Sequence, residues 1–181
     1  MEQMENQRVR LSKRLIKESL TGLLKEADVH KISIRTLWEQ AGINRSTFYK
    51  YYGSQYDVLE EMENDLISSI CGTLREGDSD GESLTKICLY LENNLDTVQV
   101  LIGSNVDLDF PRKLFNLPQI KEMLATRLPG QLDRESQEYL YQFVVNGCYC
   151  MIRQWLSNET RMPPREIADL MISAVNRVCM I

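Results

Sequence analysis

The feature that most limits how this chain can fold is the punctuation between residues 33 and 57. Ser33 has a side chain suited to capping a helix N-terminus, and it precedes a short helical stretch from Ile34 to about Ala41. Gly42 follows, in the position just past a helix end where a left-handed backbone costs least. Asn44 repeats the capping signal for a second short helix, about Arg45 to Tyr51, and Gly53 stops that one. Ser54, with Asp57 three residues on, resembles a capping box with Asp in place of Glu, and it opens a long helix from Gln55 to about Arg75. Two short helices joined only by Ala41-Gly42-Ile43-Asn44 form a helix-turn-helix.

The rest of the chain reads as helix and turn. From Arg8 to Glu26, the residues Leu11, Leu15, Ile16, Leu20, Leu23 and Leu24 recur at helical steps, with Arg10, Lys13, Arg14 and Lys17 on the polar face. Val29 to Ile32 is a connector, and residues 76–82 are the most loop-like stretch. A helix is expected from Ser83 to Leu101, then a less regular segment from Gly103 to Arg112, where Pro111 limits helix placement. Another helix fits Pro118 to Arg127, stopped by Pro129-Gly130. Residues 135–157 carry Leu140, Phe143, Val144, Gly147, Met151, Trp155 and Leu156 at helical spacing, and Tyr139, Val145, Tyr149 and Ile152 widen that face almost all round. Pro163-Pro164 introduces a last helix with Ile167, Leu170, Met171, Ala174, Val175 and Val178 on one face. Alternating β-branched runs are missing, so the expected fold is all-α. Residues 1–56 form the helix-turn-helix domain, and residues 57–181 form a second helical domain.

Charge divides the same way. The net charge of −5 by itself argues against nucleic acid. Yet residues 1–56 hold ten Lys and Arg against six acids, a net of +4, while the remainder is at −9. A basic module on an acidic body suits a DNA-binding head. The second short helix opens with Arg45, Ser46 and Thr47, polar or small residues able to reach base edges from the major groove. Arg reads guanine with two hydrogen bonds, and a Thr methyl meets thymine. Tyr49, Lys50, Tyr51 and Ser54 offer phosphate partners, and Asn44, the cap at the turn, is counted with the DNA-binding residues. Ser33, Arg35 and Thr36, at the positive end of the preceding helix, suit another phosphate.

The string from Ile34 to Leu59, with its Ala-Gly-Ile-Asn turn, its Thr47-Phe48-Tyr49 core and Tyr51-Tyr52, resembles the TetR/AcrR helix-turn-helix over about residues 8–60. The pattern Gly147, Trp155-Leu156, Pro163-Pro164 and Ile167-Ala168 resembles a short branch of that family that includes regulators of dihydroxyacetone kinase operons. The chain departs from the family in having Gln55 where a phosphate-contacting Lys is common, and Leu37-Trp38 where Ile-Ala is common. The resemblance implies a homodimeric repressor that binds a pseudo-palindrome in double-stranded DNA and is modulated by a small molecule in the C-terminal domain. It also implies that the last two helices pair with their copies, through Tyr139, Phe143, Gly147, Met151, Trp155, Leu170, Ala174 and Val178. A helix that is apolar nearly all round needs such cover. The alternative is a co-regulator with weak or no autonomous DNA binding that acts through a protein partner, as Gln55 and the acidic body suggest.

Other classes find little support. At 181 residues, 43% hydrophobic and 26% charged, the chain suits a folded globular protein. It has no apolar run of membrane-spanning length and no signal-peptide core, so a cytoplasmic location is expected. The five cysteines are irregularly spaced and are expected to be reduced, and His30, the only histidine, has no ligand cluster around it. Neither a metal, a cofactor nor a catalytic constellation is indicated. The methionines Met123, Met151, Met162 and Met171, and the aromatics Tyr90, Tyr139, Tyr141, Phe143 and Tyr149, suit either a ligand pocket or plain core filling, so the pocket residues stay unknown.

Overall fold

The computed structural model describes residues 2–74, 77–103, 110–115 and 117–180, and among them the chain is helix and turn with no strand. Expectations placed on Arg75, Glu76 and residues 104–109 lie outside the described residues. The chain divides into two units between Ile67 and Ser68, inside one helix.

The first unit, the head, begins with α1 (Glu2–Leu24), which the leucine and isoleucine spacing predicts. A 3₁₀ turn over Val29–Lys31 leads to α2 (Ile34–Gln40) and α3 (Arg45–Tyr51), and α4 (Gln55–Thr73) follows. α1 packs against both α2 and α3. The head core is built from one or two side chains of each helix: Ile16, Leu20, Leu37, Phe48 and Val58 are fully buried. The turn between α2 and α3 is fixed by local chemistry. Ser33 Oγ accepts the Thr36 N–H at 3.0 Å, Gly42 adopts a φ of +65°, and Asn44 Oδ1 accepts the Thr47 N–H at 2.8 Å. Every expected cap of the helix-turn-helix is therefore made.

One detail differs around α4. α3 ends at Tyr51, as the sequence leads one to expect, and Tyr52 at φ −139° and ψ 138° already carries the chain out in an extended conformation before Gly53. The difference lies in the capping box. Ser54 Oγ accepts the Asp57 N–H at 3.3 Å, and Asp57 Oδ2 reaches past the box to take the N–H of Gly53 at 2.8 Å. Aspartate is one methylene shorter than the glutamate of a standard box.

The second unit, the body, contains α5 (Asp80–Asn93), α6 (Leu95–Gly103), α7 (Phe110–Phe115), α8 (Pro118–Ala125), α9 (Arg134–Ser157) and α10 (Pro164–Cys179). α10 packs chiefly on α5, and α6 packs on α9. Cys88, Leu91, Val98, Phe110, Ala168 and Leu156 form the interior. Polar groups of the long helices reach across it: the Tyr149 hydroxyl donates to the Ile102 carbonyl at 2.8 Å, and Gln99 Nε2 donates to the Leu156 carbonyl at 2.7 Å.

The body corrects three expectations. The loop over residues 76–82 ends early, because Ser79 and Glu82 form a full capping box that starts α5 at Asp80 rather than Ser83. The single helix expected from Ser83 to Leu101 is two helices. It breaks at Asn94, where the side chain donates to the Tyr90 carbonyl at 2.8 Å and competes with the backbone ladder. α9 is also not apolar all round. Val144, Val145, Cys148, Ile152, Trp155 and Leu156 are buried, while Glu138, Gln142, Asn146 and Gln154 lie on the exposed side.

Candidate nucleic-acid interface

The candidate site is the start of α2, the turn and all of α3. Its backbone is set by Ser33 and Asn44, so the side chains that could meet a ligand are those the caps leave over. Ser46 Oγ donates to Asn44 Oδ1 at 2.8 Å, which locks the first turn of α3 with two donors on one amide oxygen. Thr47 is half-buried beside that cap. Ser33 and Thr36 share a hydroxyl contact of 2.7 Å at the N-terminus of α2. Both remain exposed, beside the free N–H groups of a helix start.

The charged and aromatic groups project from this frame. Arg45, Ser46, Tyr49 and Lys50 are exposed. The Arg45 guanidinium lies 5.5 Å from the centre of the Tyr49 ring, which in turn meets Phe48 edge-on at 5.7 Å. Phe48 is buried, so the buried ring holds Tyr49 and Tyr49 supports Arg45. Lys50 Nζ stands 5.7 Å over the ring of Tyr51, which is half-buried. Arg35 is exposed too, but its Nε bonds Glu39 at 2.8 Å, and that hydrogen bond followed by the Glu39 charge raises its pKa further. The sequence reading missed this pairing, although Arg35 and Glu39 stand at the i,i+4 spacing that predicts it. Ser54 is half-buried and donates to Asp57 Oδ1 at 2.6 Å. That bond, then the Gly53 N–H, holds the Asp57 carboxyl below its ordinary range.

Behind the interface an ion network ties α1 to α4. Lys13 Nζ reaches Glu61 at 2.9 Å, and Lys17 Nζ reaches Glu61 at 2.7 Å and Asp65 at 2.5 Å. Burial pulls the Lys17 ammonium down, but the hydrogen bonds to Asp65 and Glu61 outweigh it and its pKa rises. Burial likewise opposes ionisation of Glu61, and the bonds from Lys17 and Lys13 win and lower it. Tyr52 lies under Lys13, with Nζ 5.4 Å from the ring centre, and burial followed by the Glu61 charge raises its hydroxyl pKa. The network uses the basic side chains of α1 that face α4, leaving Arg8 and Arg10 exposed.

In the body, the residues expected at a dimer interface occupy different environments. Tyr139 and Phe143 are 68% and 64% exposed, Leu170 is 46% exposed, and Gly147 is exposed. Met151, Ala174 and Val178 are half-buried. Trp155 is 3% exposed and donates from Nε1 to the Met162 carbonyl at 2.8 Å, so it fills the interior of its own chain. Among the described residues, no group of three or more His, Cys, Asp or Glu side chains could hold a metal ion. No described helix is long and apolar enough to cross a membrane.

A capped helix-turn-helix with exposed arginine and lysine, followed by a helical body, defines the class of helix-turn-helix transcriptional regulators. Residues 81–177 match the TetR-type family model described as a transcriptional regulator C-terminal region, and the chain belongs to the TetR family of transcriptional regulators. Over 51 residues, 28% of the chain, it is 31% identical to the uncharacterized HTH-type transcriptional regulator YxbF of Bacillus subtilis (strain 168). That stretch spans 13% of the length of YxbF. Among solved structures, a TetR transcriptional regulator from Streptococcus agalactiae 2603V superposes with a TM-score of 0.76 at 22% identity, covering 97% of this chain and 99% of that one. A tetR-family bacterial regulatory protein from Rhodococcus RHA1 gives 0.59 at 14% identity, and the dihydroxyacetone kinase operon activator DhaS gives 0.54 at 13% identity. Each of these two covers 93% of this chain and 96% of its own. At these identities the structural likeness establishes the fold.

Proposed function

We propose that this protein is a homodimeric repressor. Residues 1–56 bind a pseudo-palindromic operator, and residues 57–181 mediate dimerisation and sense a small molecule. The observation that carries the reading is the N-terminal end of α3, where Asn44 fixes the turn and leaves Arg45, Ser46, Tyr49 and Lys50 exposed together. A short helix presenting those groups fits the major groove. In this reading Arg45 reads a base or a phosphate, and Thr47 and Ser46 approach base edges. Tyr49, Lys50, Tyr51 and Ser54 hold one stretch of phosphates. Ser33, Arg35 and Thr36 hold another, with Arg35 exchanging Glu39 for DNA.

Dimerisation uses the exposed face of α9 and α10. Tyr139, Phe143 and Leu170 are large apolar side chains left in water, and Gly147 on the same exposed side of α9 permits close helix approach. A two-fold axis there would space two recognition helices by about 34–36 Å, or a near multiple of it, over the operator. Ligand binding in the body would favour one spacing over another and so change DNA affinity.

Selection of genomic DNA fragments by the purified protein, repeated at several salt concentrations, tests this reading. A recovered pseudo-palindrome, with log affinity falling linearly against log salt, is the expected result. Weak binding with no enriched motif would instead favour action through a protein partner.

A further inference from the structure

Between Gln7 and Lys17, α1 carries five cations, Arg8, Arg10, Lys13, Arg14 and Lys17, and no acid. Two of them are neutralised within the head: Lys13 pairs with Glu61, and Lys17 pairs with Glu61 and Asp65. Arg14 stands 3.5 Å from Glu18, one turn on along its own helix, with both side chains largely in water. Arg8 and Arg10 are exposed and have no acidic partner among the described residues.

The same ion pairs set how α1 runs past α4. Lys13 meets Glu61, and Lys17, four residues on, meets both Glu61 and Asp65, so the two helices advance together. Followed backwards, that alignment carries α1 toward the start of α4. Arg10 is three residues before Lys13 and seven before Lys17, a spacing that puts all three on one stripe of the helix. The stripe that meets α4 therefore continues to Arg10, about 4.5 Å nearer the junction of α3 with α4. Lys13 already stands against that junction, with Nζ 5.4 Å from the ring centre of Tyr52, the residue that caps α3. Tyr51 and Ser54 flank Tyr52 there, and both belong to the phosphate-holding set given above. α4 opens at this junction with neutral Gln55 and with Asp57, whose carboxylate accepts from Ser54 and Gly53. Its first turn, Gln55 to Val58, supplies no positive charge. Arg10 brings one, on a planar guanidinium that can place two hydrogen bonds on one phosphate.

We infer that Arg10 is a phosphate contact: its guanidinium takes the DNA backbone beside the phosphates held by Tyr51 and Ser54, and fixes how the head sits without reading a base. The inference rests on the DNA-binding reading given above. It adds α1 to a surface otherwise drawn from α2, α3 and the turn that follows α3.

Binding of the full chain to two duplexes of one length, the selected operator and a scrambled sequence, at several salt concentrations tests the contact. A phosphate contact releases counterions and carries no sequence information. Arg10→Gln should reduce the slope of log affinity against log salt by about 0.9 on both duplexes. With the two proteins converging at 1 M salt, that slope is a loss of about eightfold at 0.1 M. Arg10→Lys keeps the charge and should restore most of the slope. Arg8→Gln removes the same charge about 200° round the helix and should leave the slope unchanged. The variants should unfold as wild type does, since both side chains are exposed. An unchanged slope in Arg10→Gln, a loss confined to the operator, or an equal fall in Arg8→Gln would each overturn the inference while leaving the DNA-binding reading in place. A shifted unfolding transition in Arg10→Gln would give Arg10 a role in the fold and overturn it too. A wild-type chain that binds neither duplex at low salt would overturn the DNA-binding reading, and this inference with it.

Discussion

The head and the body are both helical, but their sequences specify them by different means. In the head, four short polar or flexible residues, Ser33, Gly42, Asn44 and Ser54, set the chain direction within about two dozen positions, and each makes the local bond or torsion its type favours. In the body, helix direction follows from burial, as in Leu91, Leu156 and Ala168, with caps at Ser79 and Asp133 marking only some of the starts. The lesson is that a surface whose backbone must be placed closely is built from local chemistry, while a helical interior is built from packing.

Substitutions can break this comparison or sharpen it. The largest effects belong to the two cores. Phe48→Ala in the head should cost about 3–5 kcal/mol and Leu91→Ala in the body about 2–5 kcal/mol, since both side chains are fully buried. Urea titration measures both, and a cost below about 1 kcal/mol at either site would mean that its core is organised around other residues.

Next comes Gly42. No atom lies within 4 Å of where a Cβ would stand, so Gly42→Ala should cost about 1–2 kcal/mol through the left-handed backbone alone. Gly42→Asn should recover part of that loss. An alanine variant as stable as wild type would show that the turn can relax to another conformation.

Asn44→Ala and Ser79→Ala compare a head cap with a body cap directly, and each should lose about 1 kcal/mol. If the head depends more on local chemistry, only the Asn44 variant should also weaken DNA binding, because it frees the first turn of α3. Asn44→Asp keeps an acceptor and should restore stability. Equal DNA affinity in wild type and Asn44→Ala would contradict the role given to the cap.

The smallest expected effect is at Glu61. Its pKa is lower in the folded chain than the ordinary 4.5, so its contribution is full above that value and is lost as pH falls through the lowered one. Lys17 has the opposite sign: its pKa is raised above 10.5, so its contribution is full below that and is lost as pH rises through the raised value. Glu61→Gln should cost less than about 1 kcal/mol at neutral pH, because the pair is partly exposed. It should also flatten the acid limb of the stability curve measured from neutral pH downward. An unchanged acid limb would remove Glu61 from the account of head stability.

The helix-turn-helix is legible in the sequence because its signals are short-range. Ser33, Gly42 and Asn44 each act within three residues of their own position. The capping box at Ser79 and Glu82 carries the same kind of signal, but the acidic, glycine-bearing stretch around it reads as loop. The break at Asn94 depends on a side chain turning back to the backbone in the middle of an otherwise apolar periodicity, which spacing does not reveal. Trp155 illustrates the limit for the body. Its position on the helical wheel is compatible with an interface or with the interior, and only the bond from Nε1 to the Met162 carbonyl shows the interior placement. The lining of a small cavity in the body is also out of reach. Two of the four candidate methionines, Met123 and Met171, lie on it, but Ile152, Cys148 and Arg127 come together through contacts between distant helices.

The most direct test of the central claim is to compare wild type and Arg45→Ala on the selected operator and on a scrambled duplex of the same length, at one fixed salt concentration. If the exposed end of α3 reads DNA, the variant should bind the operator about tenfold to a hundredfold more weakly while its affinity for scrambled DNA changes much less. Its unfolding transition should be unchanged, since Arg45 is exposed. Equal operator affinity in the two proteins would contradict the claim that this end of α3 is the reading surface.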